Sequence, residues 1–148
     1  MIRRRRDTDL DACVAALSQV HAHSGYPYHW PDDPARWLTP DGLTAAWVAE
    51  ADGRVVGHAA LCGREASRLY VAPAARGAGL GGRLLHAVEE AAAARGLTPV
   101  LAVKTTDTAA IALYERRGWR RRVTERQEWG AGEVVTVHHY EAMARSGH

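Results

Sequence analysis

A run of glycines near the middle of the chain has the composition of a phosphate-binding loop. It reads Arg76-Gly77-Ala78-Gly79-Leu80-Gly81-Gly82 and lies between a predicted strand, residues 67–71, and a predicted helix that extends to about Arg95. Glycine lets the backbone approach a ligand closely, and the free N–H groups at the start of a helix bind anions. The sequence therefore predicts that this loop holds a phosphate group.

Two known nucleotide-binding motifs fit this loop poorly. Residues 77–82 match the dinucleotide fingerprint G-x-G-x-x-G literally, but that motif also needs an acidic residue about 20 residues later. Ala102, Val103 and Lys104 occupy that region, and the chain leaves no room for a full dinucleotide fold. A Walker-type loop is excluded because neither a lysine nor a hydroxyl residue follows the glycines.

A third motif fits both this loop and a segment farther along the chain. Residues 76–81 fit the pattern [QR]-x-x-G-x-[GA], and residues 107–119 are close to N-x-x-A-x-x-L-Y-E-x-x-G-[FW]. Here the chain resembles the GNAT family of acetyl-CoA-dependent N-acetyltransferases. The resemblance covers roughly residues 45–119 and extends to the two ends of the chain only by topology. Two motifs in the expected order are far more specific than the glycines alone.

The resemblance implies that acetyl-CoA lies between the strand before the loop and the strand after the next helix. The loop amides would hold the pyrophosphate, main-chain groups of Leu69 and Val71 would bind the pantetheine arm, and Arg76 would face the ligand. The Val71 N–H would polarise the thioester carbonyl. Asp107 replaces the family's usual asparagine, so it can cap a helix but cannot donate an amide hydrogen bond to pantetheine. The predicted acetyl-CoA contacts are Leu69, Tyr70, Val71, Arg76, Gly77, Ala78, Gly79, Leu80, Gly81, Gly82, Asp107 and Tyr114, and no metal is expected.

The same resemblance implies an acid and a base. Tyr114 matches the family's tyrosine, which often protonates the departing CoA thiolate, and a phenol is protonated at neutral pH. Direct attack on the thioester needs a neutral amine, so a base must take a proton from the ammonium. Glu65 is the first candidate, because it stands on the strand that enters the loop, where histone-acetylating relatives also have a glutamate. We therefore predict Tyr114 and Glu65 as catalytic residues.

Other bases stay open. Imidazoles suit proton transfer near neutral pH, which makes His58, His138 and His139 further candidates. Adjacent strand residues point to opposite faces, so only one of His138 and His139 can face the cleft. Relatives similar to the ribosomal-protein N-terminal acetyltransferases carry their base, a glutamate, where this chain has Ala102. A water chain with no single base is another alternative.

The acceptor site of GNAT enzymes is lined by the first two helices and the segment between them. In this chain that segment contains three prolines within residues 26–34, which oppose regular structure. Its aromatic and acidic side chains suit an ammonium group, and the predicted acceptor-binding residues are Tyr26, Tyr28, Trp30, Asp32 and Asp33. The alternative is that these aromatics anchor the segment to the core. Glu125, Glu128 and Trp129 are expected to close the other side.

Three function classes stay open. The first is an N-acetyltransferase for a small cationic amine, such as an amino acid, a polyamine or an amine antibiotic. The second is a protein acetyltransferase for lysines or N-termini, which predicts an open groove for an extended peptide. The third is a non-catalytic acyl-CoA-binding module, which would keep the loop without needing Tyr114.

The elements that must position these residues follow from the pattern of apolar residues and breakers. Strands are predicted at residues 2–6, 46–50, 55–61, 67–71, 99–103, 119–128 and 134–141, with helices between several of them. An Asp52-Gly53 turn between two β-prone runs predicts a hairpin. The order indicates an α/β (α+β) fold with one mixed, mostly antiparallel twisted sheet and helices on both faces. The resemblance adds that two central parallel strands splay apart.

Composition sets the remaining expectations. The 148 residues, 47% hydrophobic and 24% charged, suit one globular domain spanning residues 1–148. We expect a cytoplasmic protein, because the sequence has no apolar run of membrane-spanning length and its N-terminus lacks the features of a signal peptide. The net charge of +2 and two cysteines, Cys13 and Cys62, favour neither nucleic-acid binding nor a disulfide framework.

The arginine-rich, alanine-rich composition suggests a GC-rich bacterial genome. Homodimers are common among GNAT enzymes, and the last two strands are the expected interface.

Overall fold

Seven strands and four α-helices account for most of residues 1–143, the part of the chain that the computed structural model describes. The strands are β1 (Ile2–Arg4), β2 (Leu43–Ala51), β3 (Arg54–Cys62), β4 (Glu65–Val71), β5 (Val100–Lys104), β6 (Arg120–Glu128) and β7 (Val134–Glu141). The helices are α1 (Leu10–Ser24), α2 (Pro34–Trp37), α3 (Leu80–Ala94) and α4 (Thr108–Arg116). The order of strands in the sheet is β1-β2-β3-β4-β5-β7-β6.

The sheet opens between its two parallel strands. Every neighbouring pair is antiparallel except β4 and β5, whose single register pair is Glu65 with Val100. The Val100 N–H also donates to the Arg64 carbonyl at 2.8 Å, and beyond this point the two strands diverge. The mixed sheet with splayed central strands is therefore confirmed. We call the space between residues 66–71 and residues 101–104 the β4–β5 gap.

Helices cover both faces of the sheet, as predicted. On one face α3 and α4 bury an apolar cluster that includes Leu84, Leu85 and Leu101. On the other face α1 and the residue after α2 bury a second cluster, which includes Leu17 and Leu38. Alternation along each strand divides the side chains between these faces, which we call the α3–α4 face and the α1–α2 face.

Local sequence signals end or begin several elements as expected. The β2–β3 hairpin turns at Asp52 and Gly53, whose φ angles of 52° and 75° both lie in the left-handed region. A two-residue turn with positive φ at both positions has the twist that a hairpin requires. The carboxylate of Asp107 accepts from the Ala110 N–H at 3.2 Å and so caps α4.

The first strand is shorter than the predicted residues 2–6. It ends at Arg4 because the chain then tightens into a turn in which the Asp9 carboxylate accepts from the Arg6 N–H at 2.7 Å. Arg3 donates to both oxygens of Asp9, each at 2.8 Å, and this contact lowers the pKa of Asp9 to about 2. The turn directs the chain from the edge of the sheet into α1. Within residues 1–143 no helix combines the length and the apolar character needed to cross a bilayer.

Candidate active site

The edge of β4 that faces β5 carries a backbone N–H, that of Val71, which has no strand partner in the described part of the chain. Ala72 N donates to the Val56 carbonyl at 2.7 Å, and Val71 stands opposite Gly57. In an antiparallel ladder this arrangement turns the N–H and C=O of Val71 away from β3 and toward β5. Because β5 has already diverged, these groups face the β4–β5 gap.

A bulge in β4 lies just before this edge. The register slips between His58 and Ala60 of β3, so that Arg68 and Leu69 of β4 together oppose one residue. Arg68 has a φ of 51°, a left-handed conformation that is uncommon for a residue with a long side chain. Bulges bend a strand and redirect its groups, and they are frequent beside active sites. The bulge therefore helps to set the direction of the β4 edge at the gap.

His58 supports this bulge from the neighbouring strand. It is 0% exposed, with Nδ1 at 2.9 Å from the Arg68 carbonyl oxygen and Nε2 at 3.0 Å from Nη1 of Arg5. A carbonyl only accepts and a guanidinium only donates, so the ring is neutral and carries its hydrogen on Nδ1. Burial lowers the pKa of His58 to about 4. His58 is therefore a buried residue that joins β3 to the bulge, with both ring nitrogens engaged.

This burial predicts a pH-dependent stability. Between pH 6.5 and about pH 4 the unfolded chain binds a proton at position 58 and the folded chain does not, so acid favours unfolding. The free energy of unfolding should lose on the order of 3 kcal/mol from this group as the pH falls through that window. Urea melts of wild type and His58→Gln at pH 7 and pH 4 measure it. Parallel pH dependences in the two proteins would contradict the prediction.

Tyr114 reaches the gap from the α3–α4 face. Its ring packs against Trp119 and Tyr140, with centroids at 6.1 and 6.0 Å. Its hydroxyl forms no hydrogen bond with any other of residues 1–143. Burial raises the pKa of Tyr114, and the neighbouring Tyr26 and Asp107 raise it further. The phenol is thus held neutral and keeps a free O–H donor.

Tyr26 approaches the same gap from the α1–α2 face. Its ring packs against Trp37 and Tyr70, with centroids at 6.1 and 6.4 Å. Burial raises the pKa of Tyr26, and Asp107 raises it further. Tyr26 packs against the α1–α2 cluster and Tyr114 belongs to the α3–α4 cluster, and Tyr26 raises the pKa of Tyr114. The gap therefore has one tyrosine on each face.

The glycine loop leads from β4 into α3 with its backbone exposed. Gly79 is the N-cap of α3 and has a φ of 78°. A Cβ at Gly79 would meet no heavy atom within 4 Å, so glycine serves the left-handed conformation there rather than a close contact. The open space above the loop leaves the N–H groups at the start of α3 accessible to an anion.

Positive charge surrounds this loop. Arg76 folds back so that its Nε donates to the Val71 carbonyl at 3.1 Å, at the mouth of the gap. A cavity of about 620 Å³ beside Gly79 is also lined by Arg4, Arg83 and Arg117. A ligand with an anionic part at the loop and a neutral arm along the β4 edge would meet complementary groups in both places.

Comparison with known protein families shows to which family the chain belongs. The sequence profile described as "Acetyltransferase (GNAT) family" matches residues 12–119, which is most of the chain. The chain belongs to the GNAT acetyltransferase family. The resemblance seen in the two sequence motifs is thereby confirmed. A search of the curated proteins found no significant match.

Solved GNAT structures share the fold over nearly the whole chain. Ribosomal-protein-alanine N-acetyltransferase from Brucella melitensis aligns at 25% identity with a TM-score of 0.76, over 97% of this chain and 99% of that one. An N-acetyltransferase from Staphylococcus aureus Mu50 aligns at 23% identity and TM-score 0.78, over 95% and 96%. A phosphinothricin acetyltransferase from Sinorhizobium meliloti, solved with AcCoA, aligns at 21% identity and TM-score 0.75, over 95% and 86%.

Within the GNAT fold of this chain, a histidine–glutamate pair lies beside the gap on the α1–α2 face. Leu101 and Val103 point into the α3–α4 cluster, so the exposed Ala102 points to the opposite face. Its cross-strand partner on that face is His139, whose Nε2 lies 2.7 Å from Oε1 of Glu125. A carboxylate only accepts, so Nε2 carries the hydrogen and Nδ1 is left with the lone pair in the neutral ring.

The other predicted bases lie elsewhere. His138 points to the α3–α4 face, where Nδ1 is 2.6 Å from the Thr124 hydroxyl and Nε2 is 3.4 Å from Arg121. Glu65 lies at the closed end of the β4–β5 gap, opposite Val100. Six residues of extended strand, about 20 Å, separate Glu65 from Val71. The sequence predicted Glu65 on the strand that enters the glycine loop, and Glu65 is the first residue of β4, at the end of the strand farthest from that loop.

The predicted acceptor-binding residues separate into two groups. Tyr26 lies at the gap, and Tyr28 contacts Lys104 of β5 and packs on Trp129 at 5.7 Å. Trp30 instead packs on His21 of α1 at 5.3 Å. The remaining two are the exposed Asp32 and Asp33, and the carboxylate of Asp33 accepts from the Arg36 N–H at 3.1 Å to cap α2. The proline-rich segment is therefore anchored at some positions and faces the gap at others.

Sequence reasoning missed three features: the hydrogen bond of His58 to the bulge, the bulge itself at Arg68, and the contact of Lys104 with Tyr28. The bulge has no sequence signal, because nothing local predicts a positive φ at an arginine. The only sequence feature that indicated the burial of His58 was its pair of small neighbours, Gly57 and Ala59. Lys104 stood out solely as the single lysine of the chain.

Proposed function

We propose that this protein transfers the acetyl group of acetyl-CoA to the primary amine of a small molecule. The observation that carries the proposal is the β4–β5 gap, with the Val71 N–H turned toward it and a Tyr114 hydroxyl that has no hydrogen bond within residues 1–143. Acetyl-CoA would lie with its pyrophosphate at the glycine loop and its pantetheine arm along β4. These residues fit it, since the loop is open and positively charged and the β4 edge has a spare donor.

The reaction needs two protons removed from the attacking nitrogen and one supplied to the sulfur. His139, oriented by Glu125, takes the proton from the attacking ammonium through Nδ1, and the freed amine nitrogen bonds to the acetyl carbon. The Val71 N–H stabilises the negative charge that develops on the carbonyl oxygen. As the carbon–sulfur bond breaks, Tyr114 donates its phenolic proton to the thiolate, and the second proton of the nitrogen restores the phenol, giving free CoA and the acetylated amine.

A contact over the acceptor side favours a small acceptor over a protein. The ring of Tyr28 in the proline-rich segment meets the ring of Trp129 in the β6–β7 hairpin, and His29 lies 3.8 Å from Glu133 of the same hairpin. These contacts join two segments across the α1–α2 face, where an extended peptide would need an open groove. The ribosomal-protein-alanine acetyltransferase named above supports the protein alternative, but the glutamate that similar enzymes carry is Ala102 here.

The test is release of free thiol from acetyl-CoA across a panel of amino acids, polyamines, amine antibiotics and short peptides, with products identified by mass. We expect an acetylated small amine and no acetylated peptide. Acetylation confined to peptides would establish the protein alternative. Binding of acetyl-CoA without any turnover would support a non-catalytic module.

A pair of glycine variants checks the co-substrate site independently of the acceptor. Acetyl-CoA at about 100 times its Kd should raise the Tm of wild type by roughly 5 °C or more. Gly79→Glu should abolish this shift, because it strains a φ of 78° and places a carboxylate where the phosphates bind. Gly63→Glu imposes the same charge at a φ of 60° at the closed end of the sheet. Gly63→Glu should keep the Tm shift. Equal shifts in the two variants would refute the acetyl-CoA site at the glycine loop.

A further inference from the structure

Lys104 is the single lysine of the chain and the last residue of β5. It is half-buried on the α1–α2 face, and its ammonium lies 4.4 Å from the centroid of the Tyr28 ring. Within residues 1–143 this ammonium has no ion-pair partner and no hydrogen-bond acceptor.

Among residues 1–143, the other half-buried cations each have a hydrogen-bond acceptor, which the Lys104 ammonium lacks. Arg3 pairs with Asp9, and Arg5 and Arg68 donate to the backbone carbonyls of Leu38 and Trp37. An ammonium has three N–H donors, and an aromatic face engages only one side of it. A charge partly withdrawn from water is stabilised when a ligand supplies the missing acceptor. Lys104 therefore has the properties of an anion-binding group.

The position of Lys104 relates it to the proposed base. Lys104 and Ala102 point to the same face of β5, about 7 Å apart along the strand. Ala102 is paired with His139 on the adjacent strand. The positive charge is therefore fixed within the length of one small molecule from the imidazole that would accept the proton of the amine.

A negative charge lies at the other end of Tyr28. Glu133 lies beside His29, whose Nε2 is 3.8 Å from Glu133 Oε2, and its interaction with Tyr28 raises the pKa of Tyr28. Glu133 Oε2 is buried and has no hydrogen-bond partner among residues 1–143. A site for a polyamine would need carboxylates alone, and a lysine would repel such a substrate. A cation and a carboxylate on either side of one ring instead match a molecule that carries both charges.

We propose that the acceptor is a small zwitterion, an amine that also carries an anionic group such as a carboxylate, and that Lys104 binds this anionic group. The inference rests on the proposed function and specifies the acceptor class of the same site. It makes Lys104 a specificity-determining residue. It takes no part in the proton transfers assigned to His139 and Tyr114.

The wild-type enzyme supplies the first test. Steady-state acetylation is measured for amino acids and for the corresponding amino-acid amides, which keep the amine and lose the carboxylate, with spermidine as a polyamine. We expect kcat/KM for the preferred amino acid to exceed that of its amide by about tenfold or more. Equal values, or a preference for spermidine, would overturn the inference while leaving the proposed function intact. Acetylation of no amine in the panel would overturn the proposed function itself.

Variants at position 104 then separate recognition from folding. Lys104→Met keeps the apolar stem and removes the charge, so KM for the amino acid should rise about tenfold or more. KM for the amide and for acetyl-CoA should stay the same. Lys104→Arg retains the charge and should retain the preference for the amino acid. A rise in KM for acetyl-CoA instead would place Lys104 on the co-substrate side and overturn the inference.

Discussion

Tyr114→Phe is expected to lower kcat by about 10²- to 10⁴-fold, because the thiolate would leave without its proton donor. The phenyl ring keeps the contacts with Trp119 and Tyr140 at 6.1 and 6.0 Å, and the hydroxyl has no hydrogen bond to lose within residues 1–143. The variant should therefore fold normally and bind acetyl-CoA as wild type does. Thiol release sampled at fixed times measures kcat, and the acetyl-CoA thermal shift measures binding of the co-substrate.

The pH profile of the wild type provides a second observation on the same residue. Burial raises the pKa of Tyr114, so its phenol stays protonated to a higher pH than that of a free tyrosine. Since the acid must be protonated to act, kcat should not fall between pH 8 and pH 10. A decline with an apparent pKa at the ordinary value of about 10 would show that this group is not the acid. Unchanged kcat in Tyr114→Phe would lead to the same conclusion.

His139→Gln is expected to have the second large effect, a fall in kcat/KM of about 10²-fold or more near neutral pH. The defect should shrink as the pH rises, because the acceptor amine then loses its proton to solvent without a base. Glu125→Gln should show a smaller defect of the same pH dependence, since the carboxylate acts by orienting the ring at 2.7 Å. Rate profiles from pH 6 to pH 10 for these variants test the assignment.

The adjacent histidine is the matched control for this experiment. His138→Gln makes the same substitution one residue away, on the opposite face of β7, where the ring contacts Thr124 and Arg121. Its rate profile should superimpose on that of wild type. A pH-dependent defect in Glu65→Gln, with His139→Gln unaffected, would restore Glu65 as the base despite its place at the closed end of the gap.

Much of the fold follows from local sequence signals, because each depends on the conformational preferences of a few neighbouring residues. Only certain residue types adopt particular backbone conformations without strain. Examples are the Asp52-Gly53 turn, the glycine before α3 and the cap at Asp107. Apolar periodicity then predicted the order of strands and helices. The two GNAT motifs predicted the family, since each places particular residues on particular elements.

The candidate site was only partly predictable, because most of its contacts join residues far apart in the chain. No sequence signal shows that a histidine of β3 supports a bulge in β4, or that Tyr26 packs on Tyr70 of β4. The face of β7 that carries His139, and the side of β5 that carries Lys104, depend on strand register. A shift of one residue reverses every side chain, and long-range packing fixes that register.

By itself the sequence determined the elements, the glycine loop and the family, through local preferences of the backbone. Tertiary structure alone decided which titratable groups lie together at the β4–β5 gap. It removed Glu65 to the closed end and buried His58 as a neutral support. Among residues 1–143 it also left Lys104 without a counter-ion on the same face as the proposed base, because sheet register and the divergence of two strands bring these distant residues to their places.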